Sequence, residues 1–390
     1  MTKPADPLPE LRSVLLARDL LPDPRALAAV TLADLEPLAR ERMHPAAFDY
    51  VAGGAWNEIS LADSELAWRR YRLLPRVLVD VGAVDPGTTF LGTPCAFPLA
   101  IAPMAVHGLA HPDAELASAR AAATAGVPFI LSTMSSRSIE EVAGASPGGT
   151  NWFQLYLQAT ERQSRGLVER AEAAGFRAIL LTVDLPILGH RVRDLRNGWE
   201  LNVPLGNFPS GSETGIVGPT HRPDASGYRV LEAPPRRTLT WDDLASIRGW
   251  SGLPIVLKGI LTAEDARLAV EHGVDGVVVS SHGGRQLDRV PAPIDVLEEV
   301  AGAIQGRAEV WVDGGVRSGL DIAIALALGA RGVLVGRPIF WALAAGGQPA
   351  VERALAILRE EFEIALALLG TPTPGDIQRA SVRAPGSRDA

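Results

Sequence analysis

The sequence predicts an α/β protein whose strands close into a (β/α)8 barrel, and three observations carry that expectation. A unit recurs along the chain: an alanine- and leucine-rich helical stretch, a glycine, then a short apolar run, as in "AEAAGFRAILLTVD" and "AVEHGVDGVVVSS". The runs are rich in β-branched residues and nearly unbroken in hydrophobicity, as strands buried on both faces are. Eight such runs alternate with helical patterns, which favours a closed barrel over an open sheet.

Residues 1–30 are expected to be a flexible N-terminus. A helical prelude follows over 31–75, from "TLADLEPLARERM" through "FDYVAGGAWNE". The first four strands are expected at 98–103, 128–131, 152–156 and 178–183, and the second four at 254–258, 276–280, 309–313 and 332–336. Gly126, Gly175, Gly273 and Gly329 each stand where a helix ends in a left-handed residue. Ser138 with Glu141, Thr262 with Asp265 and Ser318 with Asp321 are helix-opening signatures. The spacing breaks once, with about seventy residues between strands four and five, too many for a plain βα connection. The part around 195–245, including "NFPSGSETGIVGPTHRPDASG", is expected to be a lid insertion. The barrel domain is expected to span 31–380, with 381–390 a disordered tail.

The 390 residues are 47% hydrophobic, enough for one large core. A net charge of -8 with scattered basic residues argues against nucleic acid as a partner. The single cysteine, Cys95, allows no intramolecular disulfide and suits a reducing, cytoplasmic setting. The first twenty residues contain no leader-like apolar stretch, and no run is long enough for a transmembrane helix, so no membrane partner is expected. His107 and His111 stand four apart, but in a loop with Gly108 and Pro112, and no metal is expected there.

In such a barrel the chemistry gathers at the C-terminal ends of the strands. Pro103, Met104 and Ala105 follow the first run, and Ser132 ends the second. Gln154 and Tyr156 alternate on the third; Thr182, Asp184 and Arg191 follow along the fourth. Lys258 closes the fifth, and Ser280, His282 and Arg285 follow the sixth in "SHGGRQLD". The last two exits are "DGGVRSG", with Asp313, Gly315 and Arg317, and "VGRP", with Gly336 and Arg337. Glycine N–H groups, a helix start and two arginines at exits seven and eight point to a phosphate-bearing ligand. His282 can act as a base near neutral pH, with Asp184 to orient it, and Arg191 and Arg285 can grip a carboxylate. Position alone leaves Lys258 three readings: a Schiff-base amine, a fixed charge facing an anionic cofactor, or a salt-bridge partner.

These residues, with the motifs "FDYVAGGA", "IAPMA", "WFQLY", "LTVDLPILGHRVRDLRNG", "LKGILTAEDA", "SHGGRQLD", "DGGVRSGLD" and "VGRP", resemble the FMN-dependent 2-hydroxy-acid oxidase and dehydrogenase family over about residues 31–380. That family includes glycolate oxidase, lactate oxidase, mandelate dehydrogenase and hydroxymandelate oxidase. The resemblance implies FMN as cofactor and a small 2-hydroxy acid as substrate, oxidised to the 2-oxo acid. It implies that His282 takes the hydroxyl proton as hydride passes to flavin N5, with Asp184 stabilising the charged histidine. Arg191 and Arg285 would hold the carboxylate, and Tyr50 and Tyr156 would bond the substrate. Lys258 would stand by the flavin N1–C2=O edge. Pro103, Met104, Ala105, Ser132, Gln154, Thr182 and Ser280 would surround the ring, and Asp313, Gly315, Arg317, Gly336 and Arg337 the ribityl phosphate.

Ala105 after the "PM" pair is similar to the family's oxidases, which implies O2 as acceptor and hydrogen peroxide as product. Met134 stands where glycolate oxidase has tryptophan, which implies a larger, mandelate-like (S)-acid. Too few residues precede the prelude for a haem domain. The resemblance also implies a homo-oligomer, a tetramer. The competing readings are a dehydrogenase of the same family with a quinone or protein acceptor, a Schiff-base aldolase using Lys258, a non-redox FMN barrel, and a barrel that binds flavin without catalysis.

Overall fold

The structure, a computed structural model, describes residues 21–198, 205–208, 220–223, 229–232 and 238–386. Eight strands form the barrel: β1 (Leu99–Ile101), β2 (Phe129–Ser132), β3 (Asn151–Leu155), β4 (Ile179–Thr182), β5 (Ile255–Ile260), β6 (Gly276–Val279), β7 (Glu309–Asp313) and β8 (Gly332–Val335). Neighbours in sequence pair in parallel, and β8 pairs with β1 to close the ring. Each strand lies within two residues of its expected run at either end. Because every strand runs the same way, all eight exits open on one mouth. The register brings Ser132 level with Gln154 and Thr182 level with Lys258, so the polar ends form a rim.

The opposite end of the barrel is dry. Trp152, Trp311 and Phe90 are buried there, with Trp311 5.6 Å from Phe90 and 5.4 Å from Trp152, both edge-on. Fully burying one such ring contributes roughly 1.5–3 kcal/mol. A hairpin of Thr88–Phe90 and Thr93–Cys95 brings Phe90 into this plug.

The caps fall where the sequence places them. Ser138 and Ser318 each form a full capping box with Glu141 and Asp321, and Thr262 accepts from the Asp265 N–H. Thr160 and Gln163 form another box that the sequence reading passed over. Gly126, Gly175, Gly273 and Gly329 all have positive φ.

Three prelude helices precede the barrel: α1 (Leu35–Arg42), α2 (Pro45–Ala52) and α3 (Ile59–Trp68). Leu35, Leu38 and Ala39 form the buried face of α1 at helical spacing. That face packs on the long C-terminal helix, α4 (Arg337–Leu369), which breaks at Gly346 and Gly347.

The termini depart from expectation. Pro24–Leu27, within the stretch expected to be flexible, is a helical turn capped by the Asp23 carboxylate, and the Asp23 N–H donates to the Ala345 carbonyl at 3.1 Å. Pro24 suits this first helical position because its missing N–H would have no helical partner. Val382–Arg383, within the expected tail, pairs antiparallel with Arg72–Leu73. Most of the expected lid at 195–245 lies outside the described residues. Those within it include 205–208, folded against the barrel rim, and two antiparallel strands, Thr220–Pro223 and Arg229–Glu232.

Candidate active site

The exit of β6 turns sharply. His282, Gly283 and Gly284 take φ values of 57°, 64° and 71°, so a non-glycine side chain stands in the sparsely populated left-handed region. Two contacts hold His282 there. Its N–H donates to Ser280 Oγ at 3.0 Å, and its Nδ1 lies 2.8 Å from Asp184 Oδ1. Donation from Nδ1–H to the carboxylate leaves Nε2 with a lone pair, 3.5 Å from the Tyr156 hydroxyl. Burial lowers the His282 pKa below its ordinary value, although Asp184 pulls the other way. Burial would raise Asp184, but His282 and Lys258 outweigh it, so its pKa is lowered and the carboxylate stays ionised. The pair is a neutral imidazole backed by a fixed negative charge. Gly259 makes room for it: at φ 115°, a Cβ there would stand 2.6 Å from the Asp184 Cβ.

Facing the histidine are two guanidinium groups. Arg191 is 8% exposed, and its Nε is buried without a partner. Burial first, and then the charge of Arg285, push its pKa down to about 10. Two cations held dry and close together favour an anion between them. Arg285 stands 4.9 Å over the Tyr50 ring, and one of its terminal nitrogens donates to the Tyr50 and Gly53 carbonyls at 2.5 and 2.9 Å. Burial also raises the Tyr156 pKa, so its hydroxyl keeps its proton. Met134 lines the same cavity.

On the opposite wall, Lys258 Nζ donates to Ser280 Oγ at 3.0 Å and stands 3.3 Å from Asp313 Oδ2. Lys258 is thus buried beside a carboxylate, whereas Schiff-base lysines are activated by an apolar pocket or a neighbouring cation. Ser132 Oγ donates to Gln154 Oε1 at 3.2 Å, and Gln154 Nε2 donates to Thr182 Oγ1 at 3.0 Å. Pro103, Met104 and Ala105 complete this part of the cavity.

The exits of β7 and β8 form its far end. Gly315, at φ 81°, lies against α3 so closely that a Cβ would stand 1.9 Å from the Ser64 carbonyl oxygen. Trp68 Nε1 donates to the Gly314 carbonyl at 2.9 Å. Gly336 and Arg337 open α4, so the positive end of its dipole lies at the cavity. Arg337 donates to the carbonyls of Val51, Gly53 and Gly283, which uses three of its five N–H groups. Burial, then Arg285 and Arg317, push its pKa down to about 9. Arg317 donates to the Val316 carbonyl at 2.9 Å and pairs with Glu65 of α3.

The structure thus brings the predicted site residues to one mouth except two that stand behind the cavity wall: Asp184, which bonds His282 Nδ1, and Ser280, which lies beneath His282 and Lys258 and bonds both. It also shows residues that sequence reasoning missed. Asp288 accepts N–H bonds from Asn57, Ile59 and Ser60 at the start of α3, pinning the prelude to the histidine loop. Gln286 ties that loop to the Asp184 and Ile187 carbonyls. Both lie in "SHGGRQLD", and a polar residue at each place in so short a stretch was the available signal. Glu115, fully buried, accepts from the N–H groups of His107, Ser136 and Arg137, joining the loops after β1 and β2. Burial pushes its pKa up to about 7. Asn207 bonds the Thr133 carbonyl, Ser135 Oγ and the Ile139 N–H. Leu185 and Leu188 add apolar wall beside Tyr156.

A barrel with a cationic, helix-capped end and a histidine base facing paired arginines defines a class: an enzyme that holds an anionic cofactor beside a small anionic substrate. The chain belongs to the FMN-dependent dehydrogenase family, whose model matches residues 39–384. It is 46% identical to an L-lactate oxidase of Nostoc sp. over 89% of this chain and 96% of that protein. It is 45% identical to a 4-hydroxymandelate oxidase of Amycolatopsis orientalis over 91% of this chain and 98% of that protein. A mandelate oxidase structure with (S)-4-hydroxymandelic acid superposes with a TM-score of 0.84 at 44% identity, over 91% of this chain and 99% of that one.

The cofactor is FMN, and the cavity suits it. Asp313 Oδ1 is buried without a partner, where a ribityl hydroxyl could donate. The Arg317 and Arg337 end provides cations and a helix N-terminus for a phosphate.

Proposed function

We propose that the protein oxidises an (S)-2-hydroxy acid to the corresponding 2-oxo acid, with O2 as final acceptor and hydrogen peroxide as product. The observation that carries this reading is His282, backed by Asp184, lining one cavity with Arg191 and Arg285. Bound FMN supplies the acceptor for the two electrons that leave the substrate Cα–H bond.

The chain's own residues do the rest. Arg191 and Arg285 take the substrate carboxylate, which meets the unused donor on Arg191. Tyr50 and Tyr156 flank it and orient the hydroxyl. His282 Nε2 accepts the hydroxyl proton, and the ionised Asp184 stabilises the resulting imidazolium. Lys258 provides a fixed positive charge on the cofactor side. Ser132, Gln154, Thr182, Pro103, Met104 and Ala105 bound the ring site, and Asp313, Gly315, Arg317, Gly336 and Arg337 the ribityl phosphate. Met134, Leu185 and Leu188 make the wall around the acid's side chain apolar, which favours a substrate larger than glycolate, including an aryl one.

The test is a panel of glycolate, lactate, long aliphatic acids and mandelates, each assayed for anaerobic bleaching of the yellow protein and then exposed to O2. Bleaching by the larger (S)-acids, colour recovery in air and peroxide formation are expected. No bleaching by any acid overturns the reading; bleaching without recovery in air replaces O2 with another acceptor. A homo-tetrameric, cytoplasmic protein completes the reading, and light scattering on the holoenzyme tests the assembly.

A further inference from the structure

Beside the phosphate end of the cavity, bonded to the lining residue Arg317, stands a carboxylate that the proposed reaction does not use. Glu65 projects from α3 to Arg317, and the two side chains form an ion pair. α3 is fixed in place: its Ser64 carbonyl presses on Gly315, and its Trp68 holds the Gly314 carbonyl. The pair is partly exposed, with Glu65 43% and Arg317 33% open, so solvent and anions reach it. Burial depresses the Arg337 pKa most, and repulsion from Arg285 and Arg317 adds to it. Glu65 therefore partly relieves this cluster of like charges, with Glu58 acting on Arg337 in the same direction, and Glu65 is the carboxylate that bonds the Arg317 guanidinium.

We propose that Glu65 sets the affinity for FMN by competing with its phosphate for Arg317. An arriving phosphate dianion must either displace the carboxylate from the guanidinium or share it at close range, and both cost free energy. Glu65 stabilises the empty protein and weakens the loaded one. A flavin without a phosphate does not feel this competition. Glu65 is thus a specificity-determining residue: it narrows the advantage of FMN over riboflavin. The proposal rests on the reading that Arg317 and Arg337 hold the phosphate.

The test is flavin affinity, read by fluorescence quenching as apo-protein is titrated with FMN or riboflavin. Exposed ion pairs contribute little and screened repulsion somewhat more, so Glu65→Gln is expected to tighten FMN roughly three- to tenfold. Riboflavin affinity should not move. The FMN gain should shrink on going from low salt to ~0.5 M, as screening reaches this half-exposed site. Glu65→Ala serves as the second variant and should shift in the same direction, with thermal unfolding confirming that both apo-proteins are folded. Unchanged or weaker FMN binding in both variants overturns the proposal, as does equal tightening of FMN and riboflavin. Arg317→Ala separates the two claims. If it leaves FMN affinity intact, the phosphate reading fails. If it weakens FMN while the Glu65 variants do not tighten it, only the competition fails.

Discussion

The cavity has two pairs of arginines, and they are built differently. Arg191 and Arg285 face the histidine, where Arg191 keeps a donor buried without a partner. Arg317 and Arg337, at the other end, already bond backbone carbonyls, and Arg317 bonds a carboxylate as well. In the first pair Arg285 is tied to the Tyr50 and Gly53 carbonyls, but Arg191 is left expectant, as suits the proposed substrate anion that arrives and leaves in every turnover. The second is braced, as suits an anion that stays. Arg191 is thus set apart from the other three arginines by how little of its hydrogen bonding is spent before the ligand arrives.

The largest expected effect breaks the turnover end alone. His282→Gln should lower kcat by about 10²–10⁴-fold, the usual range for a positioned base, while FMN stays bound. Stopped-flow reduction of the variant checks this, and retained turnover would remove His282 from its role. Arg191→Met should come next. Losing one partner of a desolvated ionic contact costs about 2–5 kcal/mol, to be read in kcat/KM for the acid with the flavin spectrum unchanged. At the other end, Arg337→Lys should reverse the pattern. Lysine cannot span the Val51, Gly53 and Gly283 carbonyls, so FMN affinity should fall roughly tenfold or more while the reloaded enzyme keeps its KM. If both arginine variants changed KM and FMN affinity alike, the division between the two ends would collapse.

The pH profile offers a smaller test. The His282 pKa is lowered in the free enzyme, so its neutral, proton-accepting form predominates above the ordinary histidine value. Accordingly kcat/KM should be flat through neutrality and fall only as acid protonates the imidazole, below that ordinary value. Asp184→Asn removes the charge that favours the imidazolium, so the acid limb should move lower still as the plateau drops. The least effect belongs to the dry end. Trp311 Nε1 is buried without a partner there, and removing that donor removes a desolvated group along with some packing. Trp311→Phe should therefore alter stability by no more than about 1–3 kcal/mol, checked by chemical denaturation, and leave FMN affinity unchanged.

The barrel was legible because its signal is local. A buried parallel strand must be apolar throughout, and a helix that ends against it needs a left-handed stop, so joints such as "VEHGVDG" mark themselves. His282, Arg285 and Lys258 were legible for the same reason, as polar letters at the ends of apolar runs. The supporting residues were not. Asp288 acts on backbone more than two hundred positions away, and Glu115 looks like any acid in the first turn of a helix. Their roles come from what folding brings beside them. Pro24–Leu27 and Val382–Arg383 were missed because partners elsewhere in the chain hold them, the C-terminal helix and Glu41 for the first and Arg72–Leu73 for the second.

Asp288 and the Arg285 contacts with the Tyr50 and Gly53 carbonyls fasten the earliest helices of the chain to a loop near its last third. A chain emerging from the ribosome makes Tyr50 long before the loop that receives it. A barrel stopped short of strand six has the contacts of His190, Arg193 and Asn197 with the prelude but lacks those of Arg285 and Asp288. An unfinished molecule therefore lacks the base and also the grip on Tyr50. Synthesis and site assembly are joined at one seam, where residues 50–60 meet residues 285–288.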